Sequence, residues 1–130
     1  MARGNIIATL MAFLLSGVVV ADEIAVPDWI KQARAERPAI KKKYGALYDE
    51  VSAILYRHDP IGLAPLAPSD EYDPEVGTIL PRLQECRSEQ EVQTVLFEEF
   101  VRWFGADNAG AREAYAGPSR EIWQAWLRFQ

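Results

Sequence analysis

The sequence predicts an all-α fold: a compact bundle of four to six helices with a proline-rich ordered loop between the second and third. Three observations carry that prediction. Apolar residues recur at steps of three and four over long stretches. Residues that open and close helices flank those stretches. Between Asp22 and Gln130 no strand-length run alternates apolar with polar residues, and no hairpin signal appears. With 130 residues, 49% of them hydrophobic and 25% charged, the chain has ordinary globular composition and the size of one domain. A domain of ~110 residues buries roughly 65% of its unfolded surface, enough to fold without disulfides or metal.

The first element is an address. Arg3 precedes an apolar stretch from Ile6 to Ala21, and Val19 and Ala21 put small residues at the −3 and −1 positions of a cleavage site. Residues 1–21 therefore read as a secretory signal peptide cut after Ala21, which leaves 22–130 as a single helical domain, periplasmic or secreted. The apolar stretch is shorter than the ~20 residues a spanning helix needs, so no stable membrane insertion is expected after cleavage. An uncleaved anchor and a misassigned start are the alternatives.

Pro27-Asp28 opens a short helix through Trp29, Ile30 and Ala33, expected to stop before Pro38 because the residue preceding a proline resists helical geometry. Trp29 should anchor it to the core. From Pro38 to about Tyr56, the residues Ile40, Tyr44, Leu47, Val51, Ile54 and Leu55 share one helical face, with Pro38 in the first turn. Lys42, Lys43, Asp49 and Glu50 fall on the solvated side.

The segment His58 to Pro81 concentrates the unusual residues. Pro60, Gly62, Pro65 and Pro68 prevent a helix and predict an ordered surface loop. An acidic part follows, with Asp70, Glu71, Asp73 and Glu75. Asp73-Pro74 reads as a helix start, aspartate as cap and proline in the first turn. Val76, Ile79, Leu80 and Leu83 give this helix its apolar face, and Pro81 predicts a kink in the turn before it. Cys86 continues that face and reads as a shielded structural thiol.

Ser88-Glu89-Gln90-Glu91 has the pattern of a capping box. It opens the strongest helix, which runs to about Phe104 and can be closed by Gly105. Val92, Val95, Leu96, Phe100 and Trp103 line one face, and Phe97, Val101 and Phe104 widen it, so this helix belongs in the middle of the bundle. A short helix through Ala111 to Tyr115, a break at Gly117-Pro118 and a last helix through Ile122, Trp123, Trp126 and Leu127 complete the chain. The two tryptophans read as core lids or as a partner-binding patch.

Catalytic templates are scarce. There is no CxxC, HExxH, glycine-rich phosphate loop or GxSxG, so neither an enzyme nor a cofactor is expected. The formal net charge of −5 disfavours nucleic acid, whose phosphates call for lysine and arginine clusters. The one basic run, Lys41-Lys42-Lys43, reads as a solvated face. His58 is the sole histidine. With Asp59 and nearby carboxylates it could serve a metal-binding or hydrolytic accessory protein, although its spacing matches no dedicated site.

The words His58-Asp-Pro-Ile-Gly-Leu63 and Asp70-Glu-Tyr-Asp-Pro-Glu-Val-Gly77, followed by Ile79-Leu-Pro-Arg-Leu83, resemble the signature of a group of small, mostly helical bacterial proteins. The resemblance covers Leu55 to Phe104. It implies an all-helical fold and carries no assigned reaction, cofactor or site residue, and the signal-like amino terminus departs from the group's cytoplasmic-looking members.

The leading expectation is a non-enzymatic binding protein that docks a basic protein partner. Its contact residues would be Asp59, Asp70, Glu71, Tyr72, Asp73 and Glu75, with Tyr72 as an aromatic anchor ringed by carboxylates. An immunity or inhibitor protein occluding a basic toxin is the most concrete form. A purely structural loop that fixes helix order is the third reading.

Overall fold

A computed structural model describes residues 26–63 and 72–130. The signal-peptide reading of 1–21 lies outside the described residues, as do Asp70, Glu71 and the middle of the proline-rich loop. The described chain is all-helical, with no strand. Helix α1 spans Asp28–Tyr44, α2 Ala46–His58, α3 Asp73–Leu83 and α4 Glu89–Phe104. A four-residue α5 at Ala106–Ala109 and a 3₁₀ turn at Arg112–Tyr115 lead into α6, Ala116–Phe129. None of these helices is long and apolar enough to cross a membrane.

The first helical break differs from the expected one. Helix α1 continues through Pro38 and ends at Tyr44, and Gly45 then turns the chain at φ 53° and ψ −125°. Pro38 sits on an exposed face, where water can serve the carbonyl that its missing N–H leaves unbonded. Gly45 has a positive φ that side chains rarely adopt, which makes it the cheaper place to bend.

The apolar faces otherwise pack as their spacing predicts. Trp29 stands edge-on to Trp103, with ring centroids 4.8 Å apart, and carries the Arg102 guanidinium 4.2 Å from its own centroid. That contact anchors α1 to α4. Helix α4 lies centrally, against α3, α5 and α6, with Val92, Leu96 and Phe100 fully buried. Its solvent side is less simple than the periodicity suggests. Glu99 is buried and accepts a 2.9 Å bond from Arg82 of α3, which also bonds Glu98 at 2.6 Å. Trp103 donates its indole N–H to Thr78 at 3.0 Å, a second polar tie between α3 and α4.

The capping box is present in altered form. Ser88 accepts the Glu91 N–H at 3.2 Å, while the Glu91 carboxylate takes the N–H of Arg87, one residue ahead of the cap. Gly105 closes α4 at φ 86°, and its N–H bonds Val101 at 2.8 Å. Gly117-Pro118 lies inside the first turn of α6 rather than before it. A proline is tolerated there because first-turn N–H groups have no intrahelical partner. Cys86 is half-buried just beyond α3, its thiol directed at the Arg82 carbonyl 3.7 Å away. Burial pushes that thiol's pKa up, which keeps it protonated.

Candidate functional site

The acidic segment begins where α2 ends. Asp59 takes a left-handed conformation, φ 50° and ψ 59°, and its N–H returns to Leu55 at 2.8 Å to close the helix. Aspartate is one of the few side chains that visit this region readily. Its carboxylate Oδ1 then accepts two bonds at 2.7 Å, one from the Leu63 N–H and one from the Tyr72 hydroxyl. A single carboxylate therefore shapes the first turn of the loop and holds the far end, where the chain returns.

Tyr72 is fully buried, with its ring 5.7 Å from that of Phe100. This corrects the expectation of an exposed aromatic anchor: as folded, the ring belongs to the core. Its hydroxyl is turned inward to Asp59 at the end of α2 while its ring packs on Phe100 of α4. Burial, followed by the hydrogen bond to the Asp59 carboxylate, pushes the Tyr72 phenol far above its ordinary pKa. It is a neutral donor, and no general base.

Asp73 opens α3, but no side-chain cap bond forms there and Tyr72 holds the capping position. The Asp73 carboxylate turns instead to the preceding helices. Oδ1 accepts from the Ser52 hydroxyl at 2.5 Å and Oδ2 from Lys41 at 2.8 Å, while the Asp73 carbonyl accepts from the Tyr48 hydroxyl at 2.5 Å. Lys41 also lies 5.2 Å from the Tyr48 ring centroid. Burial first, and the Asp73 carboxylate second, raise the Tyr48 pKa well above the usual phenol range. Glu75, two residues on, is fully buried, so its carboxylate does not face solvent.

The structure thus brings Asp59 to Tyr72, and Asp73 to α1 and α2, and it withdraws Tyr72 and Glu75 from the surface. Lys41, Tyr48 and Ser52 belong to the same assembly, and the sequence reading missed their role. Tyr48 and Ser52 are four apart on α2 and adjoin the apolar stripe, which was the one available signal.

His58 looks elsewhere. Its Nε2 and the Arg57 guanidinium both bond the Glu121 carboxylate of α6. Those bonds, the His58 contribution first, lower the Glu121 pKa. Gly117 makes the approach possible, because a Cβ there would stand 3.0 Å from the imidazole. No group of three or more His, Cys, Asp or Glu among the described residues is placed to hold a metal ion.

Chemically, the described part of the segment is a clamp. The Asp59 and Asp73 carboxylates accept from donors of the bundle, and the two phenols involved, Tyr72 on the Asp59 carboxylate and Tyr48 on the Asp73 carbonyl, are buried and neutral. Comparison with family models, with curated proteins and with solved structures finds no match for this chain.

Proposed function

We propose that this chain is a non-enzymatic binding protein that docks a basic protein partner through the 59–75 segment, an immunity or inhibitor protein being the most concrete form. The observation that supports this reading is the double clamp at the base of the loop. Tyr72 reaches back thirteen positions to Asp59, and Asp73 is tied to both α1 and α2. Segments whose two ends are held together are frequently functional, and ends fixed in advance lower the conformational entropy lost on binding.

Within the segment the roles divide. Asp59, Tyr72 and Asp73 build the base, with Glu75 buried behind them, and Asp70 and Glu71, which immediately precede Tyr72, supply the charge that meets lysine and arginine of the partner. Complementary charge of this kind raises the association rate and sharpens specificity. Such a protein would act outside the cytoplasm, in keeping with the signal layout of residues 1–21.

The test is a capture from native envelope extract with three proteins: wild type, Asp70→Lys/Glu71→Lys, and a charge-matched control, Asp28→Lys/Glu36→Lys, at two exposed positions of α1. Wild type and control should retain one stoichiometric basic protein, with an association rate that falls as salt rises. The loop variant should lose at least about tenfold in affinity. Equal retention by all three would remove the loop from the interface.

A further inference from the structure

The seam where α2 meets α6 holds a cleft of about 330 Å³, distinct in its residues from the loop base. Its apolar lining is Ala53 and Ile54, together with the aliphatic stems of longer side chains. Three arginines rim it: Arg57 from α2, and Arg120 and Arg128 from α6. The volume lies at the lower end of small-molecule pockets, about 300–1,000 Å³. An apolar floor under a guanidinium rim matches a ligand with an apolar body and an anionic head.

The charge inventory sharpens this. Arg57 is paired with Glu121 and Arg128 with Glu50, one pair at each end of the seam. Each pair engages a single terminal nitrogen, so both guanidiniums keep further donors. Arg120 is not paired with either carboxylate of the lining. Its side chain is 72% exposed, and among the described residues its ionic partner is Glu89, 3.7 Å from Nε, beyond hydrogen-bond reach. Its terminal amines carry no bond among the described residues. Within the lining itself three guanidiniums stand against two carboxylates, and Glu89, the partner of Arg120, lies outside it.

We propose that the cleft binds a small amphipathic carboxylate, an aryl or short alkyl acid. Its body lies on Ala53 and Ile54, and its oxyanion takes charge-assisted bonds from Arg120 and the spare donors of Arg57. The site is independent of the loop reading and stands if that reading fails.

The experiment is a titration of the isotope-labelled full chain with 2-naphthoate, followed by amide chemical shifts. Saturable shifts are expected, centred on Ala53, Ile54 and Gln124, the last a lining residue from α6. Arg120→Gln, at an exposed position that leaves folding intact, should weaken binding about tenfold, the loss of one charge-assisted contact. The neutral isostere 2-naphthylmethanol should bind at least about tenfold more weakly. Ala53→Met, which fills the floor, should abolish binding. The proposal is overturned if no saturable shift develops up to millimolar ligand, or if shifts centre on the exposed Phe129 edge. It is equally overturned if Arg120→Gln binds as wild type does, or if inorganic phosphate alone binds as tightly as naphthoate.

Discussion

At the scale of single residues, the acidic segment shows how one composition can serve two purposes. A tyrosine among carboxylates reads in sequence as a recognition feature, and in the fold it is a core residue whose hydroxyl closes a loop onto Asp59. What separates the two readings is a contact between positions 59 and 72, and no local pattern encodes it. Tyr72→Phe isolates that contact, since the ring keeps its place beside Phe100 while the carboxylate loses a donor. A hydrogen bond to a charged group contributes about 1.5–3 kcal/mol, so the variant should be less stable by that order in urea unfolding. Tyr72→Ala removes the ring as well and should cost about 3–5 kcal/mol. A Tyr72→Phe variant as stable as wild type would mean that the clamp contributes little to the fold. The other site residues were legible to different degrees. Asp59 at a helix end before Pro60 was recognisable as a turn former, whereas the alliance of Asp73 with Lys41 and Ser52 depends on how α1 and α2 fold back on α3.

At the scale of elements, the helices and their apolar faces were legible and two of the breaks were not. Periodicity reports which residues share a face, and it found the cores of α1 to α4 and of α6. It does not report whether a proline is exposed, and exposure decides whether a helix can run through it. Pro38 is exposed within α1, and the bend falls seven residues later at Gly45. The two boundaries make opposite predictions. If the helix broke at Pro38, Pro38→Ala would be nearly neutral and Gly45→Ala would stabilise an unbroken helix by about 0.5–1 kcal/mol. In the structure, Pro38→Ala restores an interior backbone bond and should stabilise by about 1 kcal/mol or more. Gly45→Ala forces a side chain into a positive-φ conformation and should destabilise by about 1–3 kcal/mol. No atom lies within 4 Å of a Cβ built at Gly45, so that cost is backbone strain and not a clash. Thermal unfolding of the two variants gives the signs directly, and reversed signs would restore the boundary at Pro38.

At the scale of the molecule, three buried phenols tie elements together as hydrogen-bond donors. Tyr48 of α2 donates to Asp73 at the start of α3, Tyr72 donates back to the end of α2, and Tyr115 donates to the Ala109 carbonyl at the end of α5, 2.6 Å away. Burial raises the pKa of all three above the ordinary phenol value. The sign of the linkage follows. Below a pH of about 10, phenols are protonated in both folded and unfolded chains and stability does not vary with pH through them. Above it, the unfolded chain releases those protons while the folded chain retains them. Stability then falls with rising pH, by up to about 1.4 kcal/mol per pH unit for each retained proton. A domain whose whole stability is about 5–15 kcal/mol should therefore unfold cooperatively within a few units above pH 10. Near-ultraviolet absorbance of phenolate, followed with helical circular dichroism on one sample, reads both events. The chain has five tyrosines, and the phenolate signal of Tyr48, Tyr72 and Tyr115 should rise only as helical ellipticity is lost. In Tyr72→Phe one of the three late phenolates should disappear, and unfolding should begin at lower pH, because the stability lost with the clamp leaves less to be overcome. Full ionisation of all five tyrosines while the helices persist would show that these phenols are open to water, and that the clamp at Asp59 is not closed in solution.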